Sequence, residues 1–117
     1  MKDEIKYIET KERKYPICFN MNAMEEIQEE YGSISNWISV IDSLGEEPKV
    51  KELKAGLMIM INEAIDMENE KKEEKDPFVT SKQVGRIMSE IGIDELNKII
   101  EDVATEATKV DEEPKNE

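Results

Sequence analysis

The chain is expected to be an α+β protein, predominantly α-helical, with about five helices and a small N-terminal β-hairpin. Three observations predict this. Period-two alternation is confined to residues 5–20, apolar residues afterwards recur at spacings of three and four, and capping residues punctuate the remainder. At 117 residues one domain with a single modest core is the expectation. We assign it to residues 1–108, with 109–117 as a disordered acidic tail.

The hairpin is read from Ile5 and Tyr7 alternating with Lys6, then Tyr15, Ile17 and Phe19 alternating with Pro16, Cys18 and Asn20. Glu9 to Arg13 forms the polar turn. Pro16 must sit where its missing N–H faces away from the partner strand. The first helix starts at Asn20 or Asn22, either of which can cap it, and runs to Tyr31. Met24, Ile27 and Tyr31 point inward, and Gly32 supplies the left-handed residue that ends it. Ser33 caps a short second helix with the stripe Ile34, Trp37, Ile38 and Ile41, closed by Leu44-Gly45.

Pro48 opens a long helix at about its first position, with Glu46 and Glu47 at the positive end of its dipole. Val50, Leu53, Leu57, Met60, Ile61 and Ala64 form its main stripe. Met58, Ile65 and Met67 widen that stripe, and Ile59 lies almost opposite its centre. A helix apolar on most sides is buried on most sides, so this is the central helix. Its charged end, Glu68 to Asp76, is expected to fray into a solvated linker. Thr80 to Gln83 is a capping box opening a helix with Val84, Ile87, Met88 and Ile91 inward, ended by Gly92. Asp94 caps the last helix, whose stripe is Leu96, Ile99, Ile100, Val103, Ala107 and Val110.

Composition then narrows function. Sixteen basic residues against 29 acidic ones give a net charge of −13. Such a field repels phosphate backbones and anionic membrane surfaces, so neither nucleic acid nor membrane is an expected partner. The helix–Gly–helix from Gln83 to Val103 superficially resembles a helix-turn-helix, but its last helix is too acidic to approach DNA. There is no histidine, which removes the commonest general base and the commonest zinc ligand. One cysteine, Cys18, permits no internal disulfide and reads as a buried, inert thiol. No signal peptide is read at the N-terminus, and no apolar run is long enough to span a bilayer, so a cytoplasmic location is expected.

Carboxylate pairs such as Glu25/Glu29 and Glu26/Glu30 read as a solvated helix face, because no histidine or phosphate-cradling turn accompanies them. No calcium loop occurs, and no cofactor or catalytic role is expected. The candidate partner-binding residues are Tyr31, Trp37, Met58, Ile59, Met60 and Met67. For the two aromatics core packing is the default, although tryptophan is enriched at binding hot spots. For the methionines core filling is again the default. Soft thioethers also suit a surface that accepts varied apolar segments, and Ile59 implies more apolar helix surface than so small a fold buries.

With these pieces in order, the chain resembles the tail assembly chaperones of long-tailed, siphovirus-type phages and prophages of low-GC Gram-positive bacteria. The similarity covers roughly residues 4–108. It is carried by Tyr15-Pro16-Ile17-Cys18-Phe19-Asn20, by Asn22 to Ile27, by Glu30-Tyr31-Gly32-Ser33-Ile34, by Leu53-Lys54-Ala55-Gly56-Leu57, and by the helix opening Thr80 to Gly85 after a charged linker. The resemblance implies a non-catalytic helper in tail morphogenesis. It would bind the long, apolar, helical tape measure protein, keep it soluble, recruit tail tube protein and stay out of the mature virion. It would act in the bacterial host cytoplasm, with coverage by many copies and self-association as a further option. The alternative from another class is an acidic regulator or DNA mimic occupying a basic cleft of a partner. Salt separates the two, since a mimic's binding collapses on screening while apolar binding persists.

Overall fold

A computed structural model describes residues 5–41, 47 and 49–112, with side chains described through residue 104. Among these residues the chain forms a two-stranded antiparallel hairpin, β1 (Lys6–Glu9) and β2 (Lys14–Ile17). Five helices follow: α1 (Met21–Tyr31), α2 (Ile34–Ile41), α3 (Val50–Asn69), α4 (Ser81–Ile91) and α5 (Ile93–Glu112). The fold class is α+β and mostly helical, as expected. The expected closure at Leu44-Gly45, the start at Pro48 and the dipole role of Glu46 lie outside the described residues.

The helix boundaries follow from local chemistry. Asn20 caps α1 by accepting from the Ala23 N–H at 3.1 Å, and Gly32, at φ +89°, ends it. The Ser33 hydroxyl accepts from Asn36 N–H at 2.9 Å to open α2. At α4 the capping box is complete: Gln83 N–H donates to Thr80 Oγ1 at 3.2 Å, and Thr80 N–H donates to Gln83 Oε1 at 2.8 Å. Val79 and Val84, both buried, occupy the positions of a hydrophobic staple around that box. The last helix starts two residues earlier than a cap at Asp94 would dictate. The Gly92 carbonyl accepts from Leu96 N–H at 3.0 Å, which places Asp94 inside the first turn. That helix also runs through Glu112, beyond the expected boundary at residue 108. No glycine or proline interrupts the sequence between Gly92 and Pro114, so nothing local stops it sooner.

The hairpin forms as expected, but its inner face is shifted by one residue on β1. Ile8 pairs with Tyr15 and Lys6 with Ile17. Directly opposed residues share a face, so Ile8 joins Tyr15 and Ile17 in the core while Tyr7 stays 51 % exposed. The Thr10 N–H donates to the Arg13 carbonyl at 3.0 Å. Counting outward from that bonded pair, Tyr7↔Pro16 falls at a non-hydrogen-bonded position, where proline forfeits no ladder bond.

Helix α3 is central: it touches β2, α1, α2 and α4, and its Leu53, Leu57, Met60, Ile61, Ala64 and Ile65 are buried. Even backbone groups are shared, with Cys18 N–H donating to the Met60 carbonyl at 3.2 Å. The tightest joint is between α2 and α3. Trp37 is wholly buried over Gly56, and a methyl group added at Gly56 would lie 2.1 Å from the indole Cζ2. The indole Nε1–H also donates to the Glu52 carbonyl at 3.0 Å, one turn before Gly56. Glycine inside a helix costs about 1 kcal/mol against alanine. The close seat of the ring offsets that cost.

The charged segment after α3 departs from the expected frayed linker. Its backbone is clasped by two amides on α3. Asn69 donates from Nδ2 to the Asp76 carbonyl at 3.0 Å and accepts the Asp76 N–H on Oδ1 at 2.9 Å. Asn62 does the same to Val79, at 3.2 and 2.8 Å. Lys72 pairs with Asp76 at 2.6 Å, holding that carboxyl below its usual range through the hydrogen bond and its charge. The composition of the segment is that of a solvated run, yet backbone bonds to fixed side chains order it regardless of composition.

Gly56→Ala should cost about 2 kcal/mol, measured by urea unfolding, because the added methyl displaces the indole. In a Trp37→Leu background the same change should become neutral or stabilising, leaving only the helix-propensity gain. A second expectation concerns pH. The Tyr7 hydroxyl donates to a Glu68 carboxylate at 2.5 Å. That bond, with lesser contributions from burial and the Glu68 charge, raises the Tyr7 pKa above 10.0. A raised folded-state pKa means its stabilisation is intact below the unfolded value of about 10 and is lost as pH climbs through the folded one. Tyr7→Phe should therefore flatten the alkaline limb of the stability curve.

Candidate partner groove

Three of the six candidate residues are accounted for by packing. Trp37 is 0 % exposed and Met60 1 % exposed, so both leave the partner surface and belong to the core. Trp37 is held there by its ring seat on Gly56, and Met60 by its place on the inward stripe of α3. Met67 is half-buried beside the α1 cap, where its sulfur accepts from Asn20 Nδ2 at 3.5 Å. Tyr31 is half-buried at the end of α1, and burial, then the charges of Glu52 and Glu30, raise its hydroxyl above 10.0. It stands apart from the groove described next.

Met58 and Ile59 do come together. They form the apolar floor of an open groove of about 310 Å³ on the outer face of α3, between α1 and the linker. Phe78, 54 % exposed, completes the apolar lining. The rim is acidic: Glu26 from α1, and Glu63 and Asp66 from α3. Each position has a local cause. Met58, Ile59, Asn62, Glu63 and Asp66 recur at helical spacing along one face of α3. Glu63 is fixed by Asn20 Nδ2 at 2.8 Å and Asn22 Nδ2 at 3.1 Å, donors from the start of α1. Phe78 sits between Asp76 and Val79, the two residues clasped by Asn69 and Asn62, so a linker side chain becomes a fixed wall.

Phe78, Glu63 and Asp66 are not singled out in the sequence, and Glu26 reads there only as part of a solvated helix face. The available signal was a lone aromatic between a charge run and a capping box, a place where neither a linker nor a cap calls for one. The rim arises from tertiary packing of α1 on α3, which no local pattern reports.

In chemical terms this is an apolar strip of aliphatic, thioether and aromatic groups flanked by three carboxylates. It complements an amphipathic helix with an apolar face and basic flanks. Among the described residues there is no group of three or more His, Cys, Asp or Glu placed to hold a metal ion. Among the same residues no buried side-chain polar atom lacks a partner, and no helix is long and apolar enough to cross a membrane.

Asn62→Ala should remove both linker bonds while keeping the helix. The expected results are a stability loss of about 1–3 kcal/mol and faster hydrogen exchange at the Val79 amide. Unchanged exchange at Val79 would show that the clasp does not order the linker. The chain matches no protein-family model, no curated protein and no solved structure.

Proposed function

We propose that the chain is a non-catalytic tail assembly chaperone of a long-tailed phage or prophage, acting in the host cytoplasm. It binds the tape measure protein, keeps it soluble and recruits tail tube protein. The observation that carries this reading is the groove lined by Met58, Ile59 and Phe78 and rimmed by Glu26, Glu63 and Asp66, on a protein of net charge −13. The apolar floor supplies non-directional attraction for helical client segments, and the rim sets their orientation and favours basic flanks. The overall charge keeps a chaperone–client complex dispersed by mutual repulsion. One small groove gives modest affinity per copy. Many copies on one long client therefore give secure coverage while each can still leave as the tube forms.

Co-expression with a candidate tape measure protein tests the proposal. The client should stay in the supernatant only when this chain is present. Phe78→Ala combined with Ile59→Ser should return it to the pellet and weaken binding of a client-derived helical peptide about ten-fold, or about 1.4 kcal/mol. Binding should persist as salt rises. A client equally insoluble with and without this chain, or binding that vanishes on screening, would overturn the proposal, the latter in favour of an acidic mimic of a polyanion.

A further inference from the structure

A second cleft, larger and of opposite sign, lies where the hairpin turn, the start of α3, α4 and the start of α5 meet. It is open, about 1050 Å³ in volume. Lys11, Lys54, Lys82 and Arg86 line it in a chain whose acids outnumber its bases 29 to 16. Among the described residues none of the four has a carboxylate within ion-pair distance. Glu90, the acid in the lining, accepts the backbone N–H of Lys11 at 2.7 Å, which ties the hairpin turn to α4. The local balance remains positive. Between the cations the accessible apolar lining is Val50, which is exposed, and Ile93, which is half-buried, while Met88 beneath them belongs to the core.

Gly85 borders the cleft on α4. A methyl group placed there would sit 3.4 Å from Cε and Nζ of Lys54. A single methyl would therefore make only ordinary contact with Lys54, and a larger side chain is needed to occupy the space over α4.

We propose that this cleft docks a short acidic amphipathic segment of a partner protein, its carboxylates on the four cations and its apolar side chains on Val50 and Ile93. Charge complementarity selects the occupant. At physiological salt the field of a charge is screened within about 8 Å. A segment confined to the cleft therefore meets mainly its cations, whereas a polynucleotide must continue over a surface dominated by carboxylates. The lining also holds no aromatic ring on which a base could stack. The site shares no lining residue with the Met58–Ile59 groove, and it takes ligands of the opposite charge.

The test is a titration of the isotopically labelled full chain with a synthetic peptide of three Glu-Leu-Leu-Glu repeats, followed by amide chemical shifts. Saturable shifts at Gly85, Arg86, Gly92 and Ile93 are expected. Lys54→Glu with Arg86→Glu should weaken binding at least about ten-fold, and Gly85→Leu should weaken it by filling the cleft with no change of charge. Both variants should still bind a basic client peptide at the other groove, so this proposal and the chaperone reading can fail separately. Four outcomes would overturn it: no saturable shift, shifts centred on Met58 and Phe78, a twelve-nucleotide single strand that binds as tightly, or self-association of the free chain that the same variants abolish. The last would make a second copy the occupant.

Discussion

The seat of Trp37 on Gly56 is the constraint on which the rest of the molecule depends. A large planar ring with one donor is buried at low cost where the packing leaves room for it and an acceptor faces the nitrogen. Helix α3 meets both demands, with no side chain at Gly56 and the Glu52 carbonyl a turn away. Once α2 is locked to α3 in this way, α3 has one face committed inward. Its outer face, carrying Met58 and Ile59, is left to form the groove. The half-exposed apolar strip is therefore a by-product of how firmly the opposite face is held.

The two surface depressions divide the charge of the chain unequally. Acids dominate the sequence and supply the rim of the α3 groove. The second cleft gathers four cations at the junction of four elements. Since exposed charges act over roughly a Debye length, net charge governs solubility and long-range steering while each depression chooses ligands by its own lining. A strongly acidic protein can in this way address partners of either sign.

Much of the fold was legible in the sequence because caps and periodicity are local. Asn20, Gly32, Thr80 with Gln83, and Gly92 fix helix ends through bonds that span four residues or fewer, and all fell where their chemistry required. The inner face of β1 was misplaced because a short strand with isoleucines at positions 5 and 8 and tyrosine at 7 supports either register. Pairing with Tyr15 decides it. The linker was misread because composition speaks for side chains, while its order comes from Asn62 and Asn69 reaching its backbone. For the candidate site, the stripe position of Ile59 pointed to the correct face of α3. Phe78, Glu26 and Glu63 became neighbours only through tertiary contacts. Trp37 and Met60 carried the residue types of a binding surface but the positions of a core.

The clasp by Asn62 and Asn69 has a consequence for how this protein can change. The two amides sit seven residues apart, on the same side of α3, and grip peptide groups rather than particular side chains. At Asp76 and Val79 the grip needs an N–H and a carbonyl, which every amino acid except proline provides. The intervening loop is thus anchored without being specified. Substitutions along it can alter its charge or replace the aromatic wall while its path stays the same. The character of the groove could then drift through single replacements that leave the framework untouched.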